Sequence, residues 1–186
     1  MADFEKSLDI LMSLEFSSKQ NALEKNKTES GYTFMGIYHT THPTWKGWEI
    51  VEEEVKKCKY DIKKASASLY DNKTLLVLVK EFYKVNFWDI ARLDEVTEQR
   101  VADEIFIFGV NSGMKLAVKK TQEYLGLRDD GVVGNQTLAK LNSVDVEVFD
   151  VEFDTLVEQK HYEYIISKYP EKKIFANGWK NRSLAV

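Results

Sequence analysis

The stretch from residue 97 to residue 111 reads TEQRVADEIFIFGVN, and it decides the fold class of this chain. Val101, Ile105 and Phe108 recur at steps of three or four residues, which is the spacing that places side chains on one face of an α-helix. Phe106 widens this into a broad apolar stripe. The pattern therefore predicts an amphipathic helix over residues 97–111.

Helical spacing recurs on both sides of this stretch. Only two prolines occur, Pro43 and Pro170, and neither interrupts a long apolar pattern. Gly126 and Gly131 mark a helix stop and a turn in which both are free to adopt positive φ, and Asn135 is predicted to cap the short helix that follows. The predicted helices are one that ends at Glu15 and others at about 46–57, 59–70, 74–86, 113–125, 135–141, 146–168 and 171–182.

Residues 16–44 lose this periodicity and collect Ser, Asn, Thr and Gly. Within them, Tyr32-Thr33-Phe34-Met35-Gly36-Ile37-Tyr38 contains residues typical of strands, so we expect a small hairpin region. An irregular segment of this length inside a compact domain is uncommon and often functional. The sequence predicts a mainly α-helical fold with an irregular or small β segment after the first helix.

Composition excludes several classes of protein. The 186 residues suit one globular domain, or a domain with a small appendage. The one cysteine, Cys58, cannot form an internal disulfide, which excludes a disulfide-built scaffold and a Cys-rich zinc site. His39 and His42 stand three residues apart, but no third ligand is suitably spaced, so we predict no metal site.

The charge balance bears on partners and location. With 26 basic and 30 acidic residues the net charge is −4, so we expect no nucleic-acid partner and no strong attraction to anionic lipid, although a local basic patch stays open. The longest aliphatic run, residues 75–79, is far shorter than a membrane helix, which predicts no stable membrane insertion. Residues 1–6 lack the pattern of a signal peptide, so we expect the product to start in the cytosol.

Glu15 is the most informative acidic residue, because it ends an amphipathic helix and opens into the irregular segment. Partial loss of water at such a junction raises the pKa of a carboxyl group, which suits a general acid for glycosidic cleavage near neutral pH. Glu24, Glu29 and Thr33 lie downstream and offer a second carboxylate or a hydroxyl that positions water. Taken alone, this pattern is more typical of a solvated glutamate at a helix end.

Several short motifs occur in a fixed order along the first part of the chain. Leu14-Glu15-Phe16 is followed by Glu29-Ser30-Gly31-Tyr32-Thr33-Phe34-Met35-Gly36-Ile37, then by Phe82-Tyr83, Phe87-Trp88, Ala102-Asp103, Phe106 and Val110-Asn111-Ser112-Gly113. In order and spacing these motifs resemble glycoside hydrolase family 108, the phage-type N-acetylmuramidases. The resemblance implies a lysozyme-like helical fold in which Glu15 is the catalytic acid, Glu29 the second carboxylate and Thr33 a residue that places water. No cofactor is implied.

A second group of motifs follows in the rest of the chain. It comprises Gln122, Leu125-Gly126, Asp130-Gly131-Val132-Val133-Gly134-Asn135-Gln136-Thr137-Leu138 and Gly178-Trp179-Lys180-Asn181-Arg182. These residues resemble the predicted peptidoglycan-binding half that usually accompanies the family's catalytic half. The resemblance implies a catalytic half over residues 1–94 and a helical, peptidoglycan-binding-like half over 95–186. Because no linker separates them, we expect both halves to pack as one globular unit.

The chain also departs from the family pattern. Phe16-Ser17-Ser18 stands where the family has Gly-Gly-Tyr, and Ile107 replaces an Asp. The segment between Glu15 and Thr33 is longer than in the family. The family's second carboxylate therefore aligns with Glu29 when counted back from Thr33, and with Glu24 when counted forward from Glu15. We favour Glu29, because the better-preserved motif lies on its side.

Four further residues are candidates for substrate binding. Trp48 and Trp88 offer aromatic faces that suit a pyranose ring, although large aromatic residues are more often part of a core. Tyr32 is a candidate for a hydrogen bond to a substrate acetamido group, with simple packing as the alternative. Asn111 lies on an otherwise apolar helix face, so it needs either a buried partner or a ligand.

The function that the resemblance implies is hydrolysis of the β-1,4 bond between N-acetylmuramic acid and N-acetylglucosamine in peptidoglycan. We expect a monomeric phage or prophage endolysin that is cytoplasmic before release and acts on glycan strands in the periplasm or cell wall. Two alternatives stay open. A lytic transglycosylase would leave 1,6-anhydro ends. A non-catalytic protein would only bind peptidoglycan or regulate secretion, and the altered motif after Glu15 is the sequence argument for this second alternative.

Overall fold

The structure is a computed structural model that describes residues 1–15, 18–25 and 31–183, with the side chains of Glu15 and Arg182 outside this description. The chain divides into two compact units. The larger unit consists of Met1–Ile10 and Val85–Val186, and the smaller unit of Leu11–Lys84. The first helix, α1 (Phe4–Glu15), therefore contributes residues to both units.

A small antiparallel sheet follows α1 in the smaller unit. Its strands are β1 (Leu23–Glu24), β2 (Thr33–Phe34) and β3 (Ile37–Tyr38), in the order β1-β2-β3. This confirms the expected β segment after the first helix.

The turn between β2 and β3 holds the hairpin against a helix of the same unit. Met35 and Gly36 both have positive φ, 44° and 76°, as a two-residue hairpin turn requires. The Tyr83 hydroxyl donates a 2.7 Å hydrogen bond to the Met35 carbonyl oxygen. A Cβ atom at Gly36 would lie 2.5 Å from this same hydroxyl, so the turn needs glycine for space as well as for conformation.

Among the described residues of the smaller unit, a 3-10 helix (Lys19–Asn21) precedes the sheet, and three α-helices follow it: α2 (Gly47–Lys57), α3 (Ile62–Tyr70) and α4 (Lys73–Tyr83). Asp61 caps α3 by accepting a hydrogen bond from the Lys64 amide, and Asn72 caps α4 by accepting one from the Leu75 amide. Short polar side chains thus fix where two adjacent helices begin.

The larger unit is built around α5 (Gln99–Ser112). The predicted apolar stripe underestimates its burial, since every residue from Val101 to Gly109 is buried, including Asp103 and Glu104. A helix that is enclosed on all sides lies at the centre of a unit. The elements that follow α5 are α6 (Met114–Tyr124), α7 (Asn135–Leu141), α8 (Val146–Glu152), a π-helical segment (Phe153–Gln159), α9 (Lys160–Lys168), a 3-10 helix (Pro170–Phe175) and α10 (Ala176–Ser183).

The helix predictions agree with the observed bounds to within three residues, and they differ in local winding and capping. The predicted helix over 59–70 begins only at Ile62, because Lys59 and Tyr60 adopt positive φ. The predicted helix over 146–168 is helical throughout, but it changes from α to π and back. Gly126 and Gly131 adopt positive φ as predicted, 67° and 78°. The cap prediction for Asn135 is wrong: Gly134 is the N-cap of α7, and the Asn135 side chain accepts a 3.3 Å hydrogen bond from Arg92.

The fold is mainly helical and of the lysozyme type, as predicted. None of the described helices combines the length and the hydropathy needed to cross a membrane. The compact units do not coincide with the predicted division at residue 94, because the first ten residues group with Val85–Val186. The assignment of a catalytic and a binding half stays a prediction.

Candidate active site

Glu15 is the last residue of α1, as the sequence predicts. The neighbouring turn of this helix is anchored by Leu11, which is fully buried. The last turn of α1 contains no basic residue, so the helix itself provides no positive charge at the position of Glu15. Glu29, the second predicted carboxylate, lies outside the described residues.

The two faces of the small sheet have different characters. Leu23, Phe34 and Ile37 are directly paired across the three strands and almost completely buried. The alternating residues Glu24, Thr33 and Tyr38 are paired in the same way and form the opposite face, on which Glu24 and Tyr38 are exposed and Thr33 is half-buried. Side chains that are directly opposite in an antiparallel pair lie on the same face, so this row brings a carboxylate, a hydroxyl and a phenol together.

Glu24 therefore lies opposite Thr33, whereas the sequence interpretation favoured Glu29 as the partner of this threonine. The alternation of apolar and polar residues in Leu23-Glu24, Thr33-Phe34 and Ile37-Tyr38 is the signal that could have revealed this row. This alternation is hard to recognise in the sequence because each strand has only two residues.

Tyr32 lines a groove of about 350 Å³ next to β2, together with Gly31, His39, Thr40, Pro43 and Glu52. The Tyr32 carbonyl oxygen accepts a 2.9 Å hydrogen bond from the His39 amide, which fixes the backbone on one side of the groove. Burial raises the pKa of the Tyr32 phenol, with smaller contributions in the same direction from Tyr60 and Glu52. The phenol therefore stays protonated at neutral pH and can donate a hydrogen bond.

Glu52 was missed as a candidate because the acidic run Glu52-Glu53-Glu54 is typical of a solvated helix face. Glu53 fits that description, since it forms an exposed ion pair with Lys57 at 2.9 Å. Glu52 instead lines the groove beside Tyr32. Its position four residues after the buried Trp48 on α2 is the signal that could have separated it from its neighbours.

Trp48 is a core residue, with only 4% of its surface exposed. Its indole N–H donates a 2.8 Å hydrogen bond to the His42 carbonyl oxygen. The ring packs against those of His39 and Trp45, at centroid distances of 4.7 and 5.0 Å. This burial corrects the prediction that Trp48 stacks on a sugar, because no ring face is left open.

Trp88 belongs to the larger unit and is completely buried. Its indole N–H donates a 2.6 Å hydrogen bond to Asp94, and its ring packs edge-on against Phe4 and Phe106. The prediction that Trp88 stacks on a sugar ring is therefore corrected as well. The apolar bulk of indole, which made it a candidate for carbohydrate binding, fills a core here.

Asn111 has a protein partner rather than an open face. Its amide donates a 2.6 Å hydrogen bond to the Tyr162 hydroxyl oxygen. The Tyr162 ring in turn stacks on Trp179, with the ring centroids 4.8 Å apart and the planes within 14° of parallel. Of the two sequence interpretations of Asn111, the structure favours the buried partner.

The motif around Asp130 is held by one buried side chain of α6. The Gln122 amide donates to the Asp130 carboxylate at 3.1 Å, to the Val132 carbonyl oxygen at 2.9 Å and to the Thr137 hydroxyl at 3.3 Å. The Gly131 amide donates back to the Gln122 side-chain oxygen at 2.8 Å. These residues therefore stabilise the turn between α6 and α7, and peptidoglycan binding by this half stays a prediction.

His39 and His42 both pack against aromatic rings. The His42 ring lies edge-on to Phe82 at 4.7 Å, and burial lowers its pKa. No group of three His, Cys, Asp or Glu side chains within the described ranges has the geometry of a metal site.

Comparison with known proteins finds similar solved structures and one family model. The solved structure of Brucella abortus SagA superimposes with a TM-score of 0.65, at 23% sequence identity, over 98% of this chain and 92% of that chain. At this identity the similarity establishes a shared fold. No curated protein matches the chain.

Residues 22–113, just under half of the chain, match the family model described as Glycosyl hydrolase 108. The region that contains the small sheet and the groove beside Tyr32 is thus similar to the glycoside hydrolases of family 108.

Proposed function

We propose that this protein is a peptidoglycan hydrolase of the lysozyme type, an N-acetylmuramidase that cleaves the β-1,4 bond between N-acetylmuramic acid and N-acetylglucosamine. The family match over residues 22–113 supports the reaction class. The observation that carries the proposal is the row of Glu24, Thr33 and Tyr38 on the open face of a sheet that follows a helix ending at Glu15.

Glu15 is proposed as the general acid that protonates the leaving oxygen. The C-terminal end of a helix carries a partial negative charge, which disfavours a carboxylate there and favours a carboxylic acid. The last turn of α1 has no basic residue to counter this effect. The direction of this effect and the position at the start of the irregular segment support Glu15 as the proton donor.

Glu24 is proposed as the second carboxylate. It lies opposite Thr33, so one water molecule can contact the carboxylate and the threonine hydroxyl together. In this arrangement Glu24 accepts the proton of the attacking water or stabilises positive charge on the sugar ring, and Thr33 orients the water. Both steps are proton transfers or charge stabilisation, so the proposed mechanism needs no cofactor.

The groove beside Tyr32 is proposed to hold a substrate acetamido group. The protonated phenol donates to the amide carbonyl oxygen, and the apolar wall formed by Pro43 suits the methyl group. This assignment keeps Tyr32 as a substrate-binding residue, whereas the indoles of Trp48 and Trp88 are enclosed.

The proposal extends to the biological setting that the family resemblance implies. A monomeric phage or prophage endolysin would be cytoplasmic before release and would act on glycan strands in the periplasm or cell wall. Residues 95–186 would then add wall affinity to the catalytic region.

The test is digestion of purified peptidoglycan, with the released fragments identified by mass spectrometry. Wild type is compared with Glu15→Gln, Glu24→Gln and Glu29→Gln, and Asp9→Asn serves as a matched control because Asp9 is an exposed acid of α1. We expect reducing muropeptides from wild type and Asp9→Asn, and a loss of about 10²-fold or more in Glu15→Gln and in Glu24→Gln.

Other outcomes would change the assignment. Products lighter by one water would indicate 1,6-anhydro ends and hence a lytic transglycosylase. Sedimentation of wild type with the wall without cleavage would leave a non-catalytic binder. Loss of activity in Glu29→Gln but not in Glu24→Gln would return the second carboxylate to Glu29.

A further inference from the structure

Residues 160–183 differ in charge from the rest of the chain. This segment contains six basic residues, five lysines and Arg182, but only two acidic residues, Glu163 and Glu171. The whole chain carries a net charge of −4, so the rest of the sequence is strongly acidic. The local basic patch that the overall charge left open is therefore located in this segment.

The same segment exposes large apolar side chains. Ile174 is 80% exposed and Phe175 is 52% exposed, and both lie at the end of the 3-10 helix Pro170–Phe175. Tyr169, the residue before this 3-10 helix, is also exposed. Exposed apolar side chains that are grouped in this way mark an interaction surface more often than isolated ones do. We call the surface formed by Tyr169, Glu171, Lys172, Lys173, Ile174 and Phe175 the basic apolar surface, in which Glu171 is the one acidic residue.

The two lysines of the basic apolar surface, Lys172 and Lys173, and the nearby Lys168 of α9 keep their charges available. Across the described parts of the chain, none of Lys168, Lys172 and Lys173 forms an ion pair with a carboxylate. Lys172 instead lies 5.2 Å from the centre of the Tyr169 ring, and Lys168 donates a 3.1 Å hydrogen bond to the Tyr164 hydroxyl. The charge of Lys172 is thus held beside an exposed ring of the basic apolar surface.

The surface is anchored from behind by aromatic packing. Trp179 of α10 stacks on Tyr162 of α9, and Phe175 contacts the Trp179 ring at a centroid distance of 6.0 Å. Tyr162 is fixed further by its hydrogen bond from Asn111. One side of the segment is therefore part of the core, while Ile174 and the lysines remain in solvent.

We propose that the basic apolar surface binds an anionic phospholipid membrane as a peripheral contact. Lysines attract the negative headgroups, and the side chains of Ile174 and Phe175 insert at the boundary between headgroups and acyl chains. Exposed Ile174 favours lipid over a glycan strand, because a protruding aliphatic side chain buries more apolar surface among acyl chains than against a hydrated polysaccharide. This inference does not depend on the proposed hydrolase activity.

The test is cosedimentation of the full chain with vesicles. One vesicle preparation is phosphatidylcholine alone, and the other contains equal parts of phosphatidylcholine and phosphatidylglycerol. The variants are the charge pair Lys172→Glu with Lys173→Glu and the apolar pair Ile174→Ser with Phe175→Ser. Each has a matched control on exposed helix positions of the smaller unit: Lys63→Glu with Lys64→Glu on α3, and Leu76→Ser with Val77→Ser on α4.

We expect wild type and both control pairs to bind the anionic vesicles, with little binding to phosphatidylcholine and with affinity that falls as salt rises. The charge pair and the apolar pair should each weaken binding by at least about tenfold. Circular dichroism should be unchanged in both, and thermal unfolding should be unchanged in the charge pair, because Lys172 and Lys173 are exposed. The apolar pair should unfold at a slightly lower temperature, because Phe175 also packs on Trp179.

Three results would overturn the proposal. The first is equal binding to both kinds of vesicle, or to neither. The second is wild-type vesicle binding by the apolar pair. The third is unaffected vesicle binding in these variants together with the loss of another interaction. That interaction would be cosedimentation with purified peptidoglycan, or self-association measured without vesicles. That last result would make the surface a wall contact or an interface between copies of this chain.

Discussion

Glu24 and Thr33 lie directly opposite each other in the antiparallel pair of β1 and β2. Both belong to the face of the sheet that is turned away from the buried row of Leu23, Phe34 and Ile37. A carboxylate and a hydroxyl in this relationship can share one water molecule. Substituting both residues therefore tests the shared contact more directly than substituting either one alone.

We expect Glu24→Gln and Thr33→Val to be strongly non-additive in catalysis. If both residues orient the same water, removal of the second costs little once the first has gone. The measurement is kcat on soluble glycan fragments for wild type, both single variants and the double variant. Effects that multiply within error would show that the two side chains act independently.

The hydrogen bond from Tyr83 to the Met35 carbonyl oxygen should stabilise the hairpin. Tyr83→Phe leaves this buried acceptor without its donor, and we expect a loss of about 1–3 kcal/mol in the free energy of unfolding. The measurement is denaturant unfolding, and Tyr60→Phe is the matched control because the Tyr60 side chain is exposed. Equal stability of the two variants would contradict a structural role for the bond.

Buried acids in the larger unit should make the protein less stable at alkaline pH. Burial raises the pKa of Glu104 to about 10, with further contributions from Glu158, Asp154 and Asp150. Burial likewise raises the pKa of Glu158 to about 8, with Asp154 acting in the same direction. In the unfolded chain such groups ionise near 4.5.

Because the folded state holds these protons more tightly, the stability they contribute is fully present below about pH 4.5 and is lost as pH rises towards 8 and then 10. We expect Glu104→Gln to flatten this decline. The measurement is the thermal unfolding temperature at a series of pH values between about 5 and 9. Glu163→Gln is the control, since Glu163 is exposed on α9. An unchanged slope in Glu104→Gln would show that Glu104 does not carry the effect.

Trp88 and Tyr32 should separate packing from substrate binding. Trp88→Phe is expected to lower the free energy of unfolding by about 1–3 kcal/mol and to leave KM unchanged, because the indole is enclosed. Tyr32→Phe should leave stability nearly unchanged and raise KM several-fold through the lost hydrogen bond. A raised KM in a fully folded Trp88→Phe would restore this residue as part of the substrate site.

The sequence predicts the helices well because their signal is local. Apolar residues at helical spacing occur wherever one face of a helix is buried, so α5, α6 and α7 lie within two residues of their predicted bounds. The positive φ of Gly126 and Gly131 is predictable for the same reason, since it depends on the residue type and its immediate neighbours.

The candidate site is only partly predictable. Glu15 was correctly placed at the end of α1, because a helix end is a local property. The pairing of Glu24 with Thr33 depends on strands of two residues that are too short to show a period. Trp48 and Trp88 have the composition of sugar-binding residues, and only the neighbours packed around each ring show that they are enclosed.

The sequence by itself therefore determined the fold class, the helix positions and the helix-end carboxyl, all of which follow from spacing within one segment. Tertiary structure decided that Glu24 pairs with Thr33, which aromatic rings are buried and that Glu104 and Glu158 lie among other acids. Those features arise from contacts between residues that are distant in the chain, and such contacts leave no periodic trace in the sequence.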